Sequence, residues 1–531
     1  MKPFKIVIVG AGAAGYFVAS ALKKNFPDID VDIIYDPTRG HIGVGESLGW
    51  VGPHFFREIL GLKDEHAWMK DSGSSYKWGT KQTGFDGTQD PYYFSYAFNG
   101  PIRTLEKSIL ESKLDDLCYG DKYSLYDMWL HLYHKGLRKK EQNRGDFHEL
   151  HYYAEYNTSP FDDDGNPKSC RWLNHSYHIN SNSIRHTVHK LVGKPAGVRE
   201  IPIPIKEIVI TPNGEKISHL VLDNDEIVKA DLFVDCTGFE RLLVKKLPFV
   251  FEPCDEYFNN AAMVGGYFYK DYENHDGWTQ LSAMPYGCRF SVSMDNRSGE
   301  GYQFNRNIFD NEDQIVTQYE QDSGKKNVIN RVIKWDPGYY RDAFVGNCIV
   351  LGIGHGFSDL FDANNFTGTL NFIQRMIKHL KADPGRSLSW KNDFNYYVHE
   401  VCEDIKFRIQ CAFHLAPRND TKYWEIMKEG AVKNNTLEKI KQTVFDDKRK
   451  LYQGYQNVLY SQHTFINTML YYNIPFDIPN FPFTPEQEQL ALNFFDYFNK
   501  KNHIQAKNSE PLGNYYKRTI FKDINFTPKN Q

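Results

Sequence analysis

The sequence predicts an α/β fold in which a Rossmann-like dinucleotide-binding domain carries an added mixed sheet and a mainly helical C-terminal region. Three observations support this prediction. An apolar strand pattern leads into a glycine-rich turn in residues 6–15, IVIVGAGAAG. Short apolar segments bounded by turn residues recur between residues 207 and 330 and predict further strands. From about residue 385, apolar residues recur at helical spacing, as in VHEVCEDIKFRIQCAFHL.

The glycine-rich turn has the spacing of a dinucleotide-binding loop, with Gly10, Gly12 and Gly15 at the three glycine positions. One glycine makes the tight turn, one lets backbone approach a pyrophosphate, and one lets the helix pack against the strand. The helix that follows directs its N-terminal amides and dipole toward that anion. The next strand, IDVDIIYD, ends in Asp36, whose carboxylate would bind the adenosine ribose hydroxyls.

Composition narrows the class of protein. The chain has 531 residues and a formal net charge of −4, so it has room for two or more lobes and carries no basic stripe for nucleic acid. Its eight cysteines are scattered without a C-x-x-C pair, and the paired histidines lack further ligands, so we expect no metal site and reduced thiols in a cytoplasmic protein. A strand by residue 5 leaves no room for a signal peptide, and no run of about 18 apolar residues predicts a membrane span.

The remaining pattern gives an element order. The expected elements are a βαβ start over residues 1–35, a helix over 104–118, a helix over 182–193, short strands between 207 and 236 with a hairpin turn at Asn213–Gly214, strands within 250–330, a buried strand over 347–352, and a helix through 370–383.

The glycine-rich turn and two later segments, in this order along the chain, resemble FAD-dependent monooxygenases. ADLFVDCTGFERLL (230–243) is similar to their second dinucleotide-contacting strand, and NCIVLGIGHGF (347–357) to the late strand whose loop touches the flavin ribityl and pyrophosphate. GVGESL (43–48) resembles a motif of flavin-dependent halogenases, the tryptophan-halogenase-like family. The similarity covers roughly residues 1–420, so the chain is identified as a divergent member, encoded by a phage or a bacterium.

The resemblance implies FAD as the cofactor and a division into two domains. Residues 1–385 would form an FAD-binding monooxygenase-like domain, with insertions around 50–150 and 250–330, and residues 386–531 a helical region covering the substrate. The residues expected to bind FAD are Gly10, Ala11, Gly12, Ala13, Ala14, Gly15, Asp36, Gly43, Val44, Gly45, Glu46, Ser47, Gly238 and Gly352.

The segment SSYKWGTKQTGF (74–85) carries the lysine that the resemblance makes catalytic. Family members have an aromatic residue, a lysine and a second lysine four residues later, which falls on Lys81. An amine can hydrogen-bond hypohalous acid or capture its halogen as a haloamine, and capture needs a neutral amine. By spacing alone, Lys81 could equally be an ordinary surface lysine among 63 basic residues.

The segment FSDLFDANNFTGTLNF (357–372) resembles the family's halide loop. Thr367 and Gly368 match the halide-binding Thr-Gly pair, but the loop lacks the family's proline and has about three extra residues. The position of the family's catalytic glutamate is therefore ambiguous between Asp362, Asn365 and Asp359, and we choose Asp362. Such a carboxylate would polarise hypohalous acid or accept the ring proton. The alternative is an Asx-rich loop that caps the next helix.

The segment GWTQLSAMPYGCRF (277–290) departs from the family's W-x-W-x-I-P motif. Trp278, Pro285, Gly287 and Arg289 remain, but the second tryptophan is missing. In the family this motif is thought to separate halogenases from ordinary hydroxylases, so its loss bears on halogenation and not on FAD binding. It also argues against a strict tryptophan halogenase, because the surrounding region shapes access to the substrate.

The resulting hypothesis is halogenation of a small electron-rich phenol or indole by reduced FAD, O2 and halide, with bromide or iodide preferred over chloride and Lys81 aiming the hypohalous acid. A separate NAD(P)H-dependent flavin reductase would supply reduced FAD, because the chain has no clear NAD(P)H site. The alternatives are an NADPH-dependent aromatic hydroxylase and a catalytically silent FAD-binding protein. We expect no nucleic-acid or membrane partner; homo-oligomers are common among such enzymes, although the sequence shows no interface motif.

Overall fold

The computed structural model describes residues 3–40, 43, 45–95, 125–148, 150–163, 165–168, 175–271, 275–443, 459–478 and 480–522. The helix expected over residues 104–118 lies outside this part of the chain. The chain divides into two compact units. Unit 1 comprises Met1–Ser75, Ser176–Phe268 and Arg289–Lys406, and unit 2 comprises Tyr76–His175, Tyr269–Cys288 and Phe407–Gln531. The domain boundary expected at residue 385 stays a prediction.

The strands, in chain order, are β1 (Lys5–Val9), β2 (Asp30–Ile34), β3 (Glu46–Ser47), β4 (Ser75–Lys77), β5 (Gly79–Thr83), β6 (Tyr92–Ser95), β7 (Ser176–Ile179), β8 (Arg199–Ile201), β9 (Ile205–Ile210), β10 (Ile217–Leu222), β11 (Ile227–Val228), β12 (Leu232–Asp235), β13 (Phe251–Pro253), β14 (Ala261–Phe268), β15 (Trp278–Met284), β16 (Gly287–Ser293), β17 (Arg297–Phe304), β18 (Ile329–Lys334), β19 (Gly338–Tyr340), β20 (Phe344–Val345), β21 (Cys348–Val350) and β22 (Gly356–Phe357).

The α-helices are α1 (Ala13–Asn25), α2 (Gly52–His54), α3 (Glu65–Ser72), α4 (Leu125–His134), α5 (Asn143–Phe147), α6 (His151–Glu155), α7 (Ser181–Val188), α8 (Lys194–Ala196), α9 (Glu312–Ser323), α10 (Asn364–Ala382), α11 (Lys391–His414), α12 (Lys422–Lys433), α13 (Thr436–Thr443), α14 (Gln462–Tyr471), α15 (Pro485–Lys507) and α16 (Leu512–Arg518).

Unit 1 is built around a six-stranded sheet in the order β20-β21-β12-β1-β2-β8. The central strand β1 pairs in parallel with β12 on one side and β2 on the other. Ile6, Val7 and Ile8 are fully buried, as expected for a parallel strand covered on both faces. This arrangement confirms the Rossmann-type fold and its βαβ start, and it brings the carboxyl ends of five parallel strands, β21, β12, β1, β2 and β8, to one edge.

Further strands of unit 1 form the added sheets. The strand β14 pairs antiparallel with both β17 and β18. The strands β9, β10 and β11 form a smaller antiparallel sheet. Its first hairpin closes where the Thr211 amide donates to the Lys216 carbonyl and Gly214 adopts a φ of +74°. The turn predicted at Asn213–Gly214 is confirmed, because glycine tolerates this left-handed backbone.

Unit 2 combines a small sheet with helices. Its strands β5 and β15 run parallel, and β5 and β6 run antiparallel. Apolar side chains from α4, α14 and α15 form a core that includes Trp129, Phe465 and Phe495. Among the described residues after Phe357, all named elements are helical, which confirms the mainly helical C-terminal region. No helix in the described part of the chain is long and apolar enough to cross a bilayer.

Candidate functional site

A cavity of about 390 Å³ lies in unit 1 where the carboxyl ends of β1, β2, β12 and β21 meet. Its volume is within the range of small-molecule sites. Ligands of open α/β sheets bind at this edge, because the strand ends and the first turns of the following helices converge there. Residues from each strand end line the cavity, among them Val9, Ile34, Cys236 and Leu351.

The cavity gathers most of the residues expected to bind the cofactor. Those that line it are Gly10, Ala11, Gly12, Ala13, Ala14, Asp36, Gly43, Glu46, Gly238 and Gly352. Gly15, Gly45 and Ser47 are not among the lining residues, and Val44 lies outside the described residues. Two motifs far apart in sequence also meet here, since a side chain at Gly352 would come within 3.0 Å of the Ala14 side chain.

Glycine stands at each of the three positions of the first turn for a different physical reason. Gly10 has a φ of +105°, and a Cβ there would lie 2.4 Å from the Cys236 carbonyl oxygen. A Cβ at Gly15 would lie 1.9 Å from the Gly10 carbonyl oxygen, so this position needs glycine for α1 to pack against the turn. A Cβ at Gly12 would meet no atom within 4 Å, so the space beside it is open to a ligand. Gly12 therefore suits the close approach of a pyrophosphate.

The second dinucleotide motif is held in place by a buried carboxylate. Asp235 ends β12 and is completely buried. One of its oxygens accepts hydrogen bonds from the Thr237 amide and hydroxyl, and the other accepts them from the Leu243 and Val244 amides. These four bonds fix the turn that places Gly238 at the cavity wall, which is the structural role of Asp-Cys-Thr-Gly.

Asp36 and Glu46 are the two predicted carboxylates of the cavity. Asp36 Oδ1 accepts hydrogen bonds from the Thr38 hydroxyl and amide, and these bonds lower the pKa of Asp36. Asp36 is therefore an ionised acceptor, as ribose hydroxyls require. Burial instead raises the pKa of Glu46 to about 7. Glu46 is held on β3, which pairs with β7.

Arg185 is a cavity residue that the sequence pattern did not reveal. It lies on α7, within the helix expected over residues 182–193, and its Nη1 donates to the Ala11 carbonyl at 2.9 Å. A second cation, Arg39, forms ion pairs with Asp36 and Glu240. Neither arginine has a motif position, so only their placement beside the glycine turn identifies them. Two cations, the α1 N-terminus and the open space at Gly12 fit a dinucleotide pyrophosphate.

The three residues that compete for the family's carboxylate position have different surroundings in unit 1. Asp359 is buried, its Oδ2 accepts from Asn259 Nδ2 at 3.0 Å, and its Oδ1 accepts from the Phe361 amide. Burial raises the pKa of Asp359 to about 6. Asp362 is only partly buried and has a φ of +56° at the turn before α10, whereas Asn365 lines the dinucleotide cavity.

Thr367 and Gly368 lie in the second turn of α10, and both are buried. The Thr367 hydroxyl donates to the Ala363 carbonyl at 2.8 Å. Gly368 lines a second cavity of about 30 Å³ together with Asp359 and His355. A space of this size holds one water molecule or a small ion.

Lys81 lies on β5 in unit 2 and is partly buried. The strand register places it opposite Tyr93 of β6 and Gln280 of β15. Side chains paired directly across strands point to the same face, so these three form one row. The Lys81 ammonium lies 5.9 Å from the centre of the Tyr93 ring.

The remnant of the tryptophan motif is next to this row. Trp278 is 1% exposed, and its ring lies 4.9 Å from the Tyr93 ring. Just before Trp278, Asp276 Oδ1 accepts from the Trp278 amide at 3.0 Å, and Oδ2 accepts from Gln280 Nε2 at 2.7 Å. Burial raises the pKa of Asp276, while these two bonds and the charge of Lys81 oppose the rise. Sequence reasoning missed Asp276, because no motif position marks it.

The chain is similar to halogenases over most of its length. A model of the tryptophan halogenase family matches residues 5–476, a range that includes every predicted site residue. The chain is 26% identical to the tryptophan 7-halogenase RebH of Lentzea aerocolonigenes over 82% of this chain and 81% of that protein. It is 23% identical to the tryptophan 6-halogenase ThaL of Streptomyces albogriseolus over 82% and 81%. The solved tryptophan 6-halogenase SttH of Streptomyces toxytricini superposes with a TM-score of 0.81 at 22% identity, covering 97% of this chain and 100% of that one.

Proposed function

Because the chain belongs to the tryptophan halogenase family, we propose that it halogenates a small electron-rich phenol or indole and that Lys81 aims the halogenating agent. The coarser function follows from the family: the protein is an FAD-dependent halogenase of aromatic substrates that uses halide and reduced FAD from a separate flavin reductase. When bound, reduced FAD would react with O2 and so supply the oxidant that converts halide into hypohalous acid. The natural substrate class, the halide preference and the residue roles are the proposal.

The observation that carries the proposal is the position of Lys81. Its ammonium lies on the same sheet face as Tyr93 and beside the motif tryptophan, Trp278. In this position the ammonium would donate a hydrogen bond to the oxygen of hypohalous acid. As the halogen bonds to the ring carbon, the oxygen–halogen bond breaks, and the departing hydroxide takes a proton from the Lys81 ammonium and leaves as water. The ring carbon then loses its own proton, which restores the ammonium. Fixing the donor in one orientation is what restricts reaction to one carbon.

The cofactor residues are proposed from the lining of the unit 1 cavity. Gly10 and Gly12 would admit the pyrophosphate, with Arg185 and the N-terminus of α1 stabilising its charge. Asp36 would accept hydrogen bonds from the adenosine ribose. Gly238 and Gly352 would let backbone approach the remainder of the flavin dinucleotide.

The carboxylate and halide residues are proposed from the halide loop, residues 357–372, which is longer than in the family. We retain Asp362 as the loop carboxylate, because both oxygens of Asp359 already accept hydrogen bonds within the fold. Thr367 and Gly368 remain the proposed halide residues, supported by the small cavity that Gly368 lines. Bromide and iodide are easier to oxidise than chloride, so we expect them to be preferred.

The test is a halogenation assay on the purified protein. The protein is incubated with FAD, a flavin reductase, NADH, O2 and bromide, together with a panel of indoles and phenols. We expect a product whose mass spectrum shows the bromine isotope pair. We expect Lys81→Ala to lose this product by at least about a hundredfold, because it removes the proton donor that aims the reagent.

Matched controls separate this result from loss of folding. Lys500→Ala removes an exposed lysine of α15 and should keep full activity. Both variants should bind FAD as the parent protein does, because the dinucleotide cavity of unit 1 does not contain either lysine. Full bromination by Lys81→Ala, or a gain of one oxygen in place of bromine, would contradict the proposal.

A further inference from the structure

We infer that Asp276 is a positioning residue that holds the Lys81 ammonium in a fixed orientation and that Gln280 clamps this carboxylate in place. The inference rests on the proposed function, because it assigns a supporting group to the proposed catalytic lysine. It also supplies a carboxylate partner for Lys81 within unit 2 itself.

The strand register provides the first argument. Lys81 pairs with Gln280 across β5 and β15, so their side chains share one face of the sheet. The amide group of Gln280 reaches back along β15 and donates to Asp276 Oδ2 at 2.7 Å. The same residue therefore stands beside Lys81 and bonds to Asp276. This geometry brings the carboxylate and the ammonium into one cluster, although 195 positions separate them in the sequence.

The second argument is the way the carboxylate is held. Asp276 Oδ1 accepts from the Trp278 amide and Oδ2 accepts from Gln280, so both oxygens have a donor that fixes them. Two neutral donors on a partly buried carboxylate leave its negative charge uncompensated unless a cation lies near. Lys81 is the cation whose charge favours the ionised form of Asp276. The attraction is mutual, so the carboxylate in turn restricts where the ammonium of Lys81 lies.

The third argument is chemical. An ammonium that must donate to one oxygen atom needs its three N–H bonds oriented, and a flexible lysine provides no orientation of its own. The Tyr93 ring face on one side and the Asp276 carboxylate on another restrict the directions left to the ammonium. His151 is a further titratable group beside this cluster, and its ring lies 5.5 Å from the Tyr93 ring.

The experiment compares Asp276→Asn with Asp276→Glu. Asn keeps the size of the side chain and removes its charge, whereas Glu keeps the charge. The first readout needs no cofactor: an amine-reactive acylating reagent is applied at a fixed mildly alkaline pH, and the labelling of Lys81 is followed by peptide mass spectrometry. We expect Asp276→Asn to raise the labelling rate of Lys81 about threefold or more, because the amine is no longer held against the carboxylate.

The second readout is kcat/KM for bromination. We expect a fall of about tenfold or more in Asp276→Asn and substantial recovery in Asp276→Glu. The matched control is Asp146→Asn. Asp146 is another buried carboxylate of unit 2 whose pKa is raised by burial, and it bonds to Trp129 Nε1 away from Lys81. This control should lower the thermal unfolding midpoint but change neither the labelling nor the bromination.

The outcomes separate the two claims. Parental labelling of Lys81 in Asp276→Asn overturns the inference, as does an Asp276→Glu variant that behaves like Asp276→Asn in both readouts. If the parent protein does not brominate any arene, the proposed function fails, while the labelling still decides whether Asp276 and Lys81 are paired. Gln280→Leu should reproduce part of the Asp276→Asn effect, because it frees the carboxylate from its clamp.

Discussion

At the scale of residues, three carboxyl groups in or beside the proposed sites of this halogenase keep their protons more readily than free carboxyls do. Burial raises the pKa of Glu46, Asp276 and Asp359, and the three differ in what opposes that rise. Asp276 has the Lys81 cation nearby, whereas the groups that oppose the rise at Asp359 are neutral hydrogen-bond donors. A carboxylate beside a cation serves to orient that cation, whereas one without a cation destabilises the fold once it ionises.

Asp359 gives a prediction about stability. Its native pKa of about 6 exceeds the ordinary value of 3.8, so the native state binds more protons between these pH values. The free energy of unfolding therefore falls as pH rises through this window, by roughly 3 kcal/mol once the group is ionised. We expect Asp359→Asn to lose this fall, since Asn still accepts from the Phe361 amide and the Asn259 amide can rotate to present its oxygen.

The measurement is the difference in unfolding free energy between Asp359→Asn and the parent protein across that pH window. The difference should move in favour of the variant as pH rises. Curves that stay parallel would show that Asp359 ionises in the native state as an ordinary carboxyl does.

At the scale of elements, the packing of α1 on the glycine turn decides whether the cofactor cavity forms. Gly12 is the N-cap of this helix and has no side chain to cap it, which leaves the first amides of the helix available to an anion. The first turn of the helix carries Gly15 against the Gly10 carbonyl. One short segment therefore contains a glycine required for packing and a glycine required for ligand approach.

Two alanine variants should separate these requirements. Gly15→Ala places a Cβ where the Gly10 carbonyl oxygen lies, so we expect it to cost about 1–3 kcal/mol or more of stability. Gly12 has a φ of −73° and open space around it, so Gly12→Ala should fold normally but weaken FAD binding, about tenfold for each 1.4 kcal/mol of lost contact. Thermal unfolding and FAD fluorescence titration check the pair. Equal thermal unfolding midpoints for the two variants would contradict the assignment.

At the scale of the whole molecule, two glycine-rich motifs that are far apart in the sequence line the same cavity of unit 1. The late motif GIGHG (352–356) contributes Gly352 and Ile353 to the same cavity as the first glycine turn. We therefore assign it to the proposed FAD site and not to a separate NADPH site, in line with the family's use of a separate flavin reductase.

The dependence on a reductase can be tested directly. FAD reduced chemically under anaerobic conditions and then mixed with protein, O2, bromide and an indole should support bromination without reductase or NAD(P)H. Conversely, NADPH alone should not bleach the absorbance of protein-bound FAD within the turnover time. Rapid bleaching by NADPH would instead indicate the hydroxylase type of catalysis.

Local sequence patterns were sufficient to predict those features that depend on neighbouring residues alone. Gly10, Gly12 and Gly15 could be placed because a tight turn imposes their spacing, and the helix over 182–193 was marked by its own apolar period. The order of motifs along the chain was enough to predict FAD and halogenation. The sequence did not identify the catalytic carboxylate in the loop around Asp362, because the inserted residues shift its positions relative to the family motif.

By itself, the sequence determined the Rossmann-type fold, the dinucleotide loop, the helical C-terminal region and the candidate lysine, since each follows from residues adjacent along the chain. Only the tertiary structure decided that Arg185 bonds to Ala11 and that Asp276 accompanies Lys81. The physical reason is that strand register and helix packing join residues from distant segments. A lone arginine or aspartate carries no periodicity or spacing that would reveal its partner.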